Sequence, residues 1–247
     1  METRNETVLR IFESDFYINE MVKVWEEGKK WADWIAELTN RYGLGKRVLD
    51  VPCGVGRVSS YLVSQKFEVT GVDISDRMLE IAKRNVPNAR FIKGDMRKLS
   101  EILGNEKYDI VVNLFNSLGY YNEEDDMDIL FSIKSVTKGM AVLNLDNRDY
   151  VIFNMPEIRY SYVPPYMVVD TSRFEPTTSR VEVIRKYLDS KGNEVGSLEY
   201  SQRYYSLHEV AKMAKRAGFR VVDVLSGYSW KPFEIGDPQM TLVLSTS

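Results

Sequence analysis

The sequence is poor in residues that staple a chain or ligate a metal. It has one cysteine, Cys53, and one histidine, His208, in 247 residues. A disulfide framework is excluded, and a Cys/His zinc site has too few ligands. No apolar run approaches the roughly 18 residues that a membrane-spanning helix needs. Basic excess is lacking too: 33 Lys and Arg stand against 36 Asp and Glu, a net charge of −3. A basic surface for gripping a nucleic-acid backbone is therefore not expected. The start, Met1 to Glu6, is too polar for a secretory signal, so a soluble, cytoplasmic protein is expected. What remains is ordinary globular composition, long enough to bury a core without staples.

Apolar residues at helical spacing run through residues 8–41, from Val8 and Ile11 to Ile35 and Leu38, with a break expected near Gly28. From Lys46 the pattern changes. Short apolar runs at 47–51, 68–73, 89–93, 108–115 and 139–145 alternate with amphipathic stretches at 56–65, 75–85, 97–103 and 123–134. That alternation predicts an α/β fold with a mostly parallel sheet covered by helices on both faces. It stops over residues 147–205. Prolines and three segments of alternating polarity, near 166–174, 180–189 and 195–205, stand there instead, with Asp189–Asn193 as a hairpin turn. Ser206 to Glu209 is a capping box opening a helix that Gly218 stops, and strands follow at 219–225 and 239–245. The expected organisation is one domain over 1–247: a helical cover (1–45), the alternating half (46–146), an antiparallel insertion (147–205), and a last helix with a terminal strand pair (206–247).

Three strand ends carry chemistry. Val48 to Arg57 runs from a strand into a Gly54-x-Gly56 turn and a helix. Such glycines let a ligand approach the backbone, although a tight turn with no ligand uses the same residues. Asp50 beside that turn would repel a pyrophosphate and suits a ligand carrying a positive group. Asp73 ends the second strand, seventeen residues after Gly56, where an acid accepts from ribose hydroxyls or caps the next helix. Asp95 and Met96 end the third, suited to an adenine amino group and ring, or simply to a turn.

With these motifs the chain resembles the class I S-adenosylmethionine-dependent methyltransferases. The resemblance rests on L-D-x-x-C-G-x-G-R at Leu49–Arg57, V-T-G-V-D-x-S at Val69–Ser75, G-D-M-R at Gly94–Arg97 and V-V-N-L-F-x-S-x-G-Y at Val111–Tyr120. Asn147 to Asp149, Arg203 to Ser206 and Ala217 to Phe219 match as well, so it covers about residues 45–247. It implies a Rossmann-like seven-stranded sheet with a reversed last strand, and S-adenosylmethionine as cofactor. Asp50 and the Gly54/Gly56 turn would hold the methionine part, Asp73 the ribose, and Asp95 with Met96 the adenine. Pro52, Arg57, Ile74, Met78, Asn113, Leu114 and Tyr17 are counted with that site. Two positions depart from the family pattern. Pro52 replaces the first glycine of the usual turn and removes an amide donor. The usual Pro-Gly-Gly before the fifth strand is only Lys138-Gly139-Met140.

The expected activity is methyl transfer to a small-molecule N or O nucleophile. The fourth-strand segment lacks the Asn/Asp-Pro-Pro-aromatic motif of nucleobase amine methylases. Asn116 and Tyr120 are the polar groups expected to orient the acceptor, or else to bond neighbouring loops. Asp146-Asn147 resembles half of a magnesium site, but its fourth-strand partner would be an asparagine, so no metal is expected. Arginines and tyrosines alternate through the insertion, some of them expected to roof the methyl group. His208 falls in the first turn of a capped helix and is expected to be exposed. No obvious general base emerges, which favours an amine acceptor. A methylase of tRNA or protein, an NAD-linked oxidoreductase and a cofactor sensor are the competing readings. No membrane partner is expected, and nucleic acid is disfavoured.

Overall fold

The computed structural model describes residues 4–247; the chain start at Met1 to Thr3 lies outside them. Three helices lead: α1 (Arg4–Phe12), α2 (Asp15–Lys23) and α3 (Glu27–Tyr42). The alternating half follows as β1 (Arg47–Asp50), α4 (Arg57–Ser64), β2 (Glu68–Asp73), α5 (Asp76–Asn85), β3 (Arg90–Lys93), a 3-10 turn (Met96–Lys98), α6 (Leu99–Leu103), β4 (Tyr108–Asn113), α7 (Glu123–Val136) and β5 (Thr137–Asp146). Next come α8 (Arg148–Asn154) and strands β6 (Ile158–Val163), β7 (Tyr166–Glu175), β8 (Arg180–Leu188) and β9 (Glu194–Arg203). The chain ends with α9 (Leu207–Arg216), β10 (Arg220–Ser226) and β11 (Gln239–Ser245).

The main sheet has seven strands in the order β10-β11-β5-β4-β1-β2-β3. Only β11 is reversed, pairing antiparallel with both β5 and β10. Residues of one strand alternate between two cores. Leu49 and Val111 face the layer of α7 and α9, while Val48, Ile110 and Val112 face α3 and α4. Strands buried on both faces read as continuous apolar runs, which is why they stood out. The strand order reverses beside β1, whose neighbours are β4 and β2. Ligands in open α/β sheets bind at the carboxyl ends of the strands flanking such a point.

The helical break expected near Gly28 lies at 24–26, just before α3, and a second one at 13–14 separates α1 from α2. Ser14 begins α2, and Val24 ends it. Gly28 lies inside α3, where an added Cβ would sit 2.5 Å from the Arg57 carbonyl oxygen. The glycine permits the close crossing of α3 over α4. The insertion holds four strands, not three: β6-β7-β8-β9, an antiparallel meander. Its extra strand is an edge exposed on both faces, with Tyr160 68% and Tyr162 66% exposed. Two of the insertion's tyrosines thus face outward. The second sheet is tied to α2: Phe16 stacks on Tyr187 at 4.3 Å, and Arg185 bridges Asp170 (2.6 Å) and Glu20 (2.8 Å).

Candidate active site

A cavity of about 100 Å³ opens at the carboxyl ends of β1, β2 and β4. Asp50, Pro52, Gly54 and Arg57 line it from the first turn, and Asp73, Ile74 and Met78 from the second. Asp95 and Met96 come from the third, Leu114 and Tyr120 from the fourth, and Tyr17 from α2. The structure therefore brings twelve of the fifteen sequence-selected residues to one space.

Asp50 is almost fully buried, and its Oδ2 accepts from Ser59 Oγ at 2.7 Å. Burial pushes its pKa up to about 7, opposed by the hydrogen bonds from Ser59 and by the nearby Arg57 charge. Arg57 is also buried, stacked 3.6 Å from the Phe115 ring centroid. Its Nη1 is sealed from solvent without a hydrogen-bond acceptor among the described residues, and it forms a loose ion pair with Glu27 at 3.5 Å. A buried guanidinium nitrogen with no acceptor is costly and fits a site meant for an anionic group. Asp73 does not cap the next helix; Ser75 does, accepting from the Met78 N–H. The Asp73 carboxylate instead accepts from Gly54 N (2.8 Å) and Ser75 N (2.9 Å), which leaves lone pairs for two further donors. Burial raises its pKa, and the backbone amides of Ser75, Gly54 and Ile74 oppose the rise.

Asp95 is held differently. Its oxygens accept from Arg97 N, Nε and Nη2 at 2.5–3.0 Å, and Arg97 reaches on to Asp125 in α7. Burial works to raise its pKa, but Arg97 prevails and holds the carboxyl below the usual range. Arg97, named only as the end of a motif, thereby fixes the third turn. Cys53 lines the cavity, and burial pushes its thiol well up, away from nucleophilic use. Phe12, Tyr17 and Tyr120 form an edge-to-face aromatic row over the cavity, with centroids 5.2 and 5.1 Å apart. Burial raises both phenols' pKa values.

Three expected residues do not line the cavity. Gly56 caps α4 at φ +82°, and a Cβ there would meet Ala82 (3.1 Å) and Phe91 (3.3 Å), so its role is close packing. Asn113 lies beneath the floor: its Nδ2 donates to the Val51 carbonyl at 2.9 Å, and its Oδ1 is sealed without a donor among the described residues. Asn116 faces the sheet, its Oδ1 accepting from Asp146 N at 3.2 Å while Gln202 donates to its carbonyl at 2.6 Å. Asn116 does not line the cavity, and its Oδ1 joins the β4 loop to β5, the alternative that the sequence reading offered for it. Asn147 is likewise structural, donating to the Ile235 and Asp237 carbonyls. Val8, Phe12, Met21, Phe115 and Tyr121 line the cavity without having been singled out. Three of them lie in the leading helices, where periodicity marked them only as core.

Residues 48–139 match the model of a family described as a methyltransferase domain. The fold agrees: an S-adenosylmethionine-dependent methyltransferase from Clostridium acetobutylicum superposes with a TM-score of 0.79 at 19% identity, over 92% of this chain and 98% of that one. The CcbJ methyltransferase from Streptomyces caelestis gives 0.77 at 22% identity, over 88% of each. The fold is that of the S-adenosylmethionine-dependent methyltransferases on which it superposes, and residues 48–139 match a methyltransferase domain. Among the curated relatives of this chain are a putative methyltransferase, YqeM, from Bacillus subtilis, 34% identical over 47% of each chain, and a glycine/sarcosine N-methyltransferase from Aphanothece halophytica, 32% identical over 59% of this chain and 60% of that one. The chain spans about half the length of the curated relatives it matches.

The residues fit the family's cofactor. Asp50 offers a buried carboxylate, Arg57 a buried Nη1 with no hydrogen-bond acceptor among the described residues, and Asp73 spare acceptor sites. An amino-acid zwitterion attached to a ribose has those three complements. Among the described residues, no helix is long and apolar enough to cross a membrane.

Proposed function

We propose that this chain transfers the methyl group of S-adenosylmethionine to a nitrogen or oxygen of a small molecule. The observation that carries the reading is the convergence of Asp50, Arg57 and Asp73 on one cavity, with Arg57 Nη1 sealed and without an acceptor. Asp50 would pair with the ammonium of the methionine part, Arg57 with its carboxylate, and Asp73 with the ribose hydroxyls. Asp95, Met96 and Ile74 would flank the adenine.

When bound, the cofactor supplies a methyl group on a sulfonium, which is already a good leaving group. What the protein has to supply is alignment and dryness. Orienting two reactants can contribute roughly 7–11 kcal/mol. The aromatic row of Phe12, Tyr17 and Tyr120 excludes water from the side where an acceptor enters. The proposal also treats the leading helices and the second sheet as one cover over a single domain, because Arg185 and Tyr187 of β8 both bond Glu20 of α2. The curated relatives named as acting on glycine and sarcosine support a small acceptor.

Calorimetric titration tests the reading directly. S-adenosylmethionine and its demethylated product should bind, and NAD should not. Labelled methyl should then enter the small-molecule fraction of a cell extract. Label confined to RNA or protein, or binding of NAD alone, overturns it.

A further inference from the structure

The second sheet ends at β6, and the register of that strand shows what its free edge offers. Ser172 N donates to the Glu157 carbonyl at 2.8 Å, which fixes the phase of the β6–β7 ladder. Arg159, Ser161 and Val163 therefore spend their backbone groups on β7, while Ile158, Tyr160 and Tyr162 direct theirs outward. All three outward residues are exposed, and no strand among the described residues pairs with that edge. Their side chains share one face. Ser161 stands opposite Val168, which packs in the core between this sheet and α2, so Ile158, Tyr160 and Tyr162 point the other way. Met167, opposite Tyr162, and Ile184, opposite Thr171, extend the exposed apolar face beside them.

The other sheet edges are guarded. β3 is four residues long and carries Arg90 and Lys93 at its ends. β10 has a register break between Val221 and Asp223. β9 lies against the β4–α7 loop, where Arg203 N donates to the Gly119 carbonyl and Gln202 Nε2 to the Asn116 and Leu118 carbonyls. Charge, bulges and cover are the usual devices against edge pairing. β6 has none of them. Its one charged residue, Arg159, is turned back onto β7 to pair with Asp170 at 2.9 Å.

We propose that β6 is a self-association surface, pairing antiparallel with β6 of a second copy of this chain about a two-fold axis at Tyr160. In that register Tyr160 meets the partner's Tyr160, Ile158 meets the partner's Tyr162, and Tyr162 meets the partner's Ile158. Every outward backbone group then has a hydrogen-bonding counterpart, and apolar side chains pair along one face. On the other face Arg159 meets the partner's Ser161, so no like charges stand opposite each other. An axis one residue to either side sets Ile158 against Pro164 or Tyr162 against Pro156, and neither proline has an amide to donate. The strand is its own complement about Tyr160, which assigns a second copy rather than an unrelated peptide. A six-residue strand buries less than the roughly 1,600 Å² of a standard interface, so the dimer should dissociate on dilution.

Sedimentation velocity of the full chain tests this. It should show a monomer–dimer equilibrium with a dissociation constant of about 1–100 μM. Tyr160→Glu and Tyr160→Lys each set like charges across the axis and should weaken self-association by about 10-fold or more. Mixing these two variants should restore a dimer, because opposite charges then face each other. Position 160 also meets itself at about 5.5 Å between Cα atoms, within disulfide reach. Oxidised with diamide, Tyr160→Cys should form a linked dimer and Tyr162→Cys should not, whereas Tyr162→Cys mixed with Ile158→Cys should. Cys53 is buried and should take no part. Thermal denaturation checks that each variant folds. A chain still monomeric at about 100 μM, a dimer untouched by charge at position 160, or equal linking in Tyr160→Cys and Tyr162→Cys overturns the assignment.

Discussion

The Arg57 guanidinium lies over the Phe115 ring, 3.6 Å from its centroid, and two structural features make that possible. Phe115 sits at φ +60°, turning its ring back toward α4, and Arg57 opens α4 just after Gly56. The stack holds the guanidinium rigid while leaving Nη1 without an acceptor. Arg57→Lys should therefore weaken S-adenosylhomocysteine by about 10-fold or more, because a lysine neither stacks as a plane nor presents a fork. Calorimetry checks this, with thermal denaturation confirming the fold. Unchanged affinity would remove Arg57 from the site.

Asp50 gives the binding a pH dependence. Its pKa in the free protein is pushed up to about 7 by burial. A cationic amino group beside it favours the carboxylate, so protons compete with the ligand. Affinity should fall as pH drops below about 7, approaching tenfold per unit. The stability of the ligand-free protein moves the other way for this group. Its folded pKa is raised, so its contribution is fully present below the unfolded value of about 3.9 and is lost as pH rises through about 7. Asp50→Asn should flatten the affinity profile and weaken binding at pH 8. A profile flat in the wild type contradicts the pairing.

Asp73 is asked to do two jobs, and one substitution should show both. It already accepts from Gly54 and Ser75, and it would also accept from two ribose hydroxyls. Hydrogen bonds to a charged acceptor are worth about 1.5–3 kcal/mol each. Asp73→Ala should thus weaken S-adenosylhomocysteine by roughly 100-fold or more and lower the melting temperature of the free protein. A loss below about threefold would leave Asp73 as a turn-former only.

Much of this architecture was legible before any coordinates. The inner strands of the main sheet are buried on both faces, so they stand out as apolar runs, and the capping box at Ser206 forms as written. The insertion was read one strand short because Ile158 to Val163 has no buried face to impose alternation. The break near Gly28 was legible, but the close crossing that the glycine itself permits was not, since spacing along one helix says nothing about a second helix crossing it. Asn116 and Asp146 show the same limit at the site. Sequence placed both at the ends of adjacent strands, but the turn of the Asn116 Oδ1 onto the Asp146 amide depends on a left-handed backbone at Asn116, φ +57°. Asp146 was weighed only as half of a metal pair whose other half, Asn147, is occupied by the loop at Ile235 and Asp237.

The crossing of α3 over α4 predicts a stability effect with a functional consequence. A methyl group at position 28 would press on the Arg57 carbonyl at 2.5 Å, and a backbone atom cannot swing aside. Gly28→Ala should cost about 1–3 kcal/mol in urea denaturation, despite the better helix propensity of alanine. Because the displaced residue is Arg57 itself, S-adenosylhomocysteine affinity should fall too. A stabilised variant would show that the helices can separate freely.

Asn116 separates a structural role from a chemical one. Its Oδ1 is the acceptor for the Asp146 amide, its own amide donates to the Asn144 carbonyl, and its left-handed backbone favours asparagine over alanine. Asn116→Ala should therefore lose about 1–3 kcal/mol of stability, from an unpaired amide and a strained φ. S-adenosylhomocysteine affinity should stay within about twofold, since the side chain does not line that cavity. Asn116→Gly relieves the φ strain but still leaves the Asp146 amide without its acceptor, so it should recover only part of the loss. If both variants keep full stability and lose turnover, Asn116 touches the acceptor after all, and its place here as the brace behind Asp146 is wrong.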